Sequence, residues 1–103
     1  MIRHIVALRF RAEVTEAEKQ QLYAGLAALR GHLEGMEDFR SFANLSPETA
    51  VVQGFRDLFW CDFRDAAARD AYLADPAHQA LGARLVAAAD GGLAGILVVD
   101  VAL

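Results

Sequence analysis

A chain of 103 residues, 55% hydrophobic and 23% charged, has the size and composition of one globular domain and excludes a disordered or fibrous polymer. Its net charge of −4 supplies no basic stripe for phosphates and argues against nucleic acid as a partner. A membrane span is excluded too, because Asp90, Asp100 and a Gly pair interrupt the apolar tail "LVAAADGGLAGILVVDVAL".

Residues 2–10 alternate as a strand, with Ile2, His4, Val6, Leu8 and Phe10 on one side and Arg3, Ile5, Ala7 and Arg9 on the other. This opening leaves no room for a signal-peptide core and cleavage site, and the lone Cys61 has no partner for an internal disulfide. A reducing cytoplasm is the expected compartment. Thr15 and Glu18 form a capping box, after which Leu22, Leu26, Leu29 and Leu33 make one apolar helical stripe, closed by Gly31 and Gly35. A second strand, "MEDFRSFANL", ends at a turn over Ser46-Pro47-Glu48, and a third spans 55–63.

Asp65 then caps a short helix through Ala74. Pro76 lacks an amide proton and suits the first position of a helix, while it forces Asp75 out of helical geometry and frees it as N-cap. A second helix therefore restarts at Pro76 and runs to about Ala89, where Asp90-Gly91-Gly92 stops it. On one unbroken helix Tyr72 and His78 would be about 600° of rotation apart and so point about 120° away from each other. A restart on a new axis brings them to one pocket. The positive end of the helix dipole disfavours an imidazolium, so His78 is expected to be neutral at neutral pH, facing the apolar side with Leu81 and Leu85.

With a final strand over 93–103, the order is β-α-β-β-α-α-β, an α+β, ferredoxin-like arrangement with a four-stranded antiparallel sheet in a single domain over residues 1–103. Its last strand is apolar on both faces, with Leu97, Val99 and Val101 opposing Ile96, Val98 and Ala102, and the third strand behaves alike. Helices cover only one face of such a sheet, so the other is expected to pack on a second copy across a two-fold axis.

Several segments, "MIRHIVALRF", "NLSPE", Gly54-Phe55 and above all "AYLADPAHQAL", resemble the stress-responsive dimeric α/β-barrel (Dabb) family along essentially the whole chain. The resemblance implies a ferredoxin-like protomer whose sheet packs on its partner's to form a dimeric barrel. At Tyr72 and His78 the chain also resembles the plant polyketide-cyclase branch. That likeness implies His78 as general base on a carbon acid, Tyr72 as hydrogen-bond donor to a carbonyl, and His4 as a supporting polar group. Where that branch has an aromatic-Thr-His run, this chain has Phe55-Arg56-Asp57. Asp57 is then either a carboxylate orienting a ring nitrogen of His78 or His4, or a strand-edge acid. The implied ligand is a small apolar carbonyl compound or phenol, with no cofactor. A non-catalytic structural or interaction protein and a cofactor-free monooxygenase of the same barrel architecture stand as alternatives.

The remaining candidates are weaker. His4, Asp57 and His78 could supply a two-His-one-carboxylate set, but no local spacing supports a metal. Cys61 reads as an inert core thiol, and His32 as a solvent-facing residue near a helix end. Arg64, Asp65, Arg69 and Asp70 read as a solvated face.

Overall fold

The computed structural model describes residues 1–103. Its strands are β1 (Ile2–Leu8), β2 (Met36–Ala43), β3 (Asp57–Phe63) and β4 (Ile96–Ala102); its helices are α1 (Glu16–Ala28), α2 (Thr49–Val52), α3 (Ala66–Ala74) and α4 (Pro76–Ala88). The strands form one antiparallel sheet in the order β2-β3-β1-β4. This is the ferredoxin-like topology that the sequence pattern implies.

Local chemistry sets the helix starts. Thr15 accepts from the Glu18 amide at 3.2 Å, Asp65 from Ala68 at 2.9 Å and Asp75 from His78 at 3.0 Å. Each bond satisfies an amide that the first helical turn otherwise leaves orphaned. The Asp75-Pro76 break is therefore a helix restart, and Asp75 closes α3 as it opens α4.

The helices α1, α3 and α4 bury one face of the sheet. There Val6, Leu8, Phe59, Cys61 and Phe63 pack against Leu22, Leu26, Leu29, Tyr72 and Leu85. Register then fixes which polar residues share that face: His4 pairs with Cys61 on one side and with Asp100 on the other. Paired residues project to the same side of a sheet, so His4 and Asp100 both lie under the helices.

The opposite face carries Ile5, Ala7, Leu58, Trp60, Leu97 and Val99, matched by the pairs Ile5↔Trp60, Ile5↔Val99, Ala7↔Leu58 and Ala7↔Leu97. Phe42 extends it, 4.6 Å from the Trp60 ring. Phe42, Leu97 and Val99 are exposed, as are Leu45 and Val51 in the β2–β3 connection. An antiparallel sheet with one face in water should be polar there. This one is not.

Three boundaries differ from the sequence reading. The β2–β3 connection contains the short α2, and Gln53 at φ 54° and Gly54 at φ 78° turn the chain before β3 begins at Asp57. The first strand ends at Leu8, and Phe10 makes only an isolated bridge to Ala89. After Gly91 and Gly92, both at positive φ, a short 3₁₀ turn occupies Gly92–Gly95, so β4 starts at Ile96. No helix is long and apolar enough to cross a membrane.

Candidate functional site

The restart at Pro76 does what the rotation argument requires. Tyr72 near the end of α3 and His78 in the first turn of α4 stack with ring centroids 3.9 Å apart and planes tilted by 36°. From β1, His4 meets Tyr72 edge-on at 5.8 Å. These rings and Asp100 form the polar part of a hollow of about 370 Å³ between the helices and the sheet. The rest of its lining is mostly apolar, including Leu85, Val86 and Ile96, and the exposed Leu73, Leu93 and Val98. Leu85 lies beside His78 as expected. Leu81 is outside the lining of the hollow and packs on Gly25 of α1, where its Cδ2 lies 2.8 Å from the position an added Cβ would take.

The hydrogen bonding is directional. The Cys61 sulfur and the Tyr72 hydroxyl lie 3.8 Å apart, a weak sulfur contact that leaves the phenol able to turn its hydrogen towards a ligand. Tyr72 is 1% exposed, and burial raises its pKa above the ordinary phenol value. It is a neutral donor, never a phenolate. Burial likewise pushes the Cys61 thiol up to about 12, so this cysteine is not a nucleophile. His4 Nδ1 lies 2.6 Å from Asp100 Oδ1, and Arg69 donates from a terminal guanidinium nitrogen to Asp100 Oδ2 at 2.7 Å. Burial alone would raise the Asp100 pKa, but the bonds from Arg69 and His4 more than reverse it and hold the carboxylate below its usual range.

His78 carries the one fully buried side-chain nitrogen of the group that no hydrogen bond satisfies. Its Nδ1 is buried and has no hydrogen-bond partner. Its pKa is held below the ordinary 6.5, first by burial and then by the positive charge His4 can carry; the Leu73 carbonyl and the Asp75 carboxylate pull the other way without cancelling this. The helix-start argument for a neutral imidazole and the observed environment agree in direction.

That shift has a measurable sign. In the unfolded chain His78 takes up its proton near the ordinary value of about 6.5, whereas the folded protein resists it. Its contribution to stability is thus full above about pH 6.5 and is lost as pH falls from there towards the lower folded value. Asp75 and Asp100, whose folded pKa values are lowered from 3.8, contribute above that value and lose it only in stronger acid. Urea melts at about pH 7.5 and about pH 5.5 are expected to show a smaller stability loss for His78→Ala than for the wild type. Equal losses would remove His78 from the pH response.

Asp57 is not brought to the hollow. It stands opposite Leu8, four positions along β3 from Cys61, and its carboxylate bonds Lys19 at 3.1 Å. At about 3.3 Å per residue, four positions are about 13 Å along the strand. Asp100 holds the ring nitrogen of His4 instead. Arg69 also leaves the solvated face assigned to it, reaching across to β4. His32 is exposed as expected, yet its Nε2 lies 3.0 Å from Asp75 Oδ1, tying the end of α1 to the α3–α4 junction. No group of three or more His, Cys, Asp or Glu side chains is arranged to hold a metal ion.

The family model described as the stress responsive A/B barrel domain matches residues 2–103. Among solved structures, a dimeric ferredoxin-like protein of unknown function from Jannaschia sp. CCS1 is 35% identical with a TM-score of 0.88, over 99% of this chain and 98% of that one. The Arabidopsis thaliana protein At3g17210 is 25% identical with a TM-score of 0.87, over 100% and 95% of the two chains. A hydroxynitrile lyase from Passiflora edulis shares the fold at 18% identity and a TM-score of 0.82, over 99% and 92%. No curated protein matches the sequence.

Proposed function

The chain belongs to the stress responsive A/B barrel domain family, and on that premise we propose that it is a homodimer that binds a small, largely apolar carbonyl or phenolic compound and acts on it by general-base chemistry. The observation that carries the reading is the convergence of two imidazoles and a phenol on one mostly apolar hollow. A few convergent polar groups in an apolar cavity are what small-molecule sites are made of.

In this reading a proton leaves the carbon beside the ligand's carbonyl for the second nitrogen of His78. The C–H electron pair becomes a carbon–carbon double bond as the carbonyl π pair moves to oxygen, and the Tyr72 hydroxyl donates to the enolate charge there. A neutral, low-pKa imidazole and a phenol that stays protonated fit those roles. A hydroxynitrile lyase on the same fold is an analogy of scaffold only. The homodimer is supported by the uncovered apolar sheet face and by the dimeric Jannaschia relative. The buried free thiol of Cys61 suits a reducing cytoplasm.

Exchange of the acetophenone methyl protons into D₂O, followed by NMR, tests the chemistry directly. The wild type is expected to accelerate exchange. His78→Ala should lose about 100-fold or more of that acceleration, the usual worth of a positioned base, and Tyr72→Phe about tenfold or more. If both variants exchange and bind acetophenone like the wild type, the hollow is not the site.

A further inference from the structure

We infer that Arg69, acting through Asp100, is a positioning residue that makes His4 a hydrogen-bond acceptor in the hollow, so that the ligand presents a hydroxyl group to it. The inference rests on the hollow being the ligand site, and it narrows the ligand class from carbonyl or phenolic compounds to those that present a hydroxyl group.

An ionised Asp100 only accepts hydrogen bonds. Its Oδ1 lies 2.6 Å from His4 Nδ1, so Nδ1 must carry the proton of that bond. A neutral ring then has its lone pair on Nε2, and His4 makes no other hydrogen bond within the protein. His4 is 5% exposed and lines the hollow, so Nε2 is left for water or for a ligand that displaces it. A lone pair there welcomes O–H and rejects a carbonyl oxygen or an ether.

Arg69 fixes the other half of the carboxylate. It stands three residues before Tyr72 on α3, and its guanidinium bonds Asp100 Oδ2 at 2.7 Å and Asp70 at 2.8 Å. With one oxygen held by a permanent cation, the carboxylate stays ionised and can offer only Oδ1 to His4. The same bond ties the edge strand β4 to α3 along the rim of the hollow. Second-layer carboxylates select a histidine tautomer in this way at other sites.

Two readouts test it, at about pH 8, above the ordinary imidazole range. In ligand-free protein, ¹⁵N spectra should show His4 as a single tautomer protonated at Nδ1. In Arg69→Gln and Asp100→Asn they should show a mixture, with Arg69→Lys restoring most of the single form. For ligand choice, 4-hydroxyacetophenone should bind the wild type about tenfold or more tighter than 4-methoxyacetophenone, one hydrogen bond's worth. Arg69→Gln should shrink that ratio to about threefold or less. A wild-type His4 protonated at Nε2 or already mixed overturns the inference, as does a ratio unchanged in Arg69→Gln. If neither ligand binds the wild type, the proposed ligand class falls, while the tautomer spectra still decide the role of Arg69.

Discussion

Val99→Glu is expected to turn a dimer into a monomer. Val99 lies in β4 opposite Ile5, which is itself opposite Trp60, so it sits within the apolar stretch of the uncovered face. If that face packs on a second copy, a glutamate there buries a carboxylate, and the cation beside it on the face, Arg3, is already paired with Asp62 at 2.8 and 3.0 Å. An uncompensated buried charge costs about 3–5 kcal/mol, or roughly two to three and a half orders of magnitude in dissociation constant. Two-fold symmetry applies the penalty twice per dimer. Light scattering behind gel filtration should give twice the chain mass for the wild type and the chain mass for the variant. The control is one residue away. Val98 is 51% exposed against 45% for Val99, but it points to the helix side and lines the hollow. Val98→Glu should leave the dimer intact. A wild type that runs as a monomer, or two substitutions that act alike, would sink the paired-sheet reading.

That contrast shows which features could be read without coordinates. Alternation along β1 groups His4 with Val6 and Leu8, since period-two patterning needs only local sequence, but which sheet face that side forms follows only from where the helices pack. The helix restart was legible for the same reason: aspartate before proline is a capping device complete within three residues. The partner of His4 was not legible, because it depends on the register between the first strand and the last. A signal did exist. Asp100 is the only charge in an otherwise apolar strand, and an acid kept there has a reason. Asp57 draws attention through its place in a motif, but it lies four positions along β3 from Cys61, the residue that faces His4. Arg69 looked like surface because helical spacing relates it only to its own helix. Its partner lies on another element altogether. The four-residue α2 was missed because so short a helix has too few residues to show a period.

Tyr72 separates a site from a mere core, because two substitutions there should diverge. The side chain is wholly buried and touches Phe63 at 5.0 Å between ring centroids, His78 at 3.9 Å and His4 at 5.8 Å. Tyr72→Ala empties that volume and is expected to cost about 3–5 kcal/mol, as truncations of buried aromatics do. For a domain of this size each kcal/mol moves the midpoint by about 4–8 °C, so thermal melts should fall by roughly 12 °C or more, a large share of a total stability of about 5–15 kcal/mol. Tyr72→Phe keeps the ring and its stacking and removes only an oxygen whose sole partner in the protein is the Cys61 sulfur at 3.8 Å, a weak contact. The folded state should barely register that loss, at about 1 kcal/mol or less, while proton exchange on acetophenone should suffer. A hydroxyl kept only for the fold predicts the reverse, a clear fall in melting temperature with exchange untouched. Calorimetry and the NMR exchange assay on the same two variants decide between them. The phenylalanine variant is the sharper of the two, because its chain folds under either reading and only the role of the oxygen is in question.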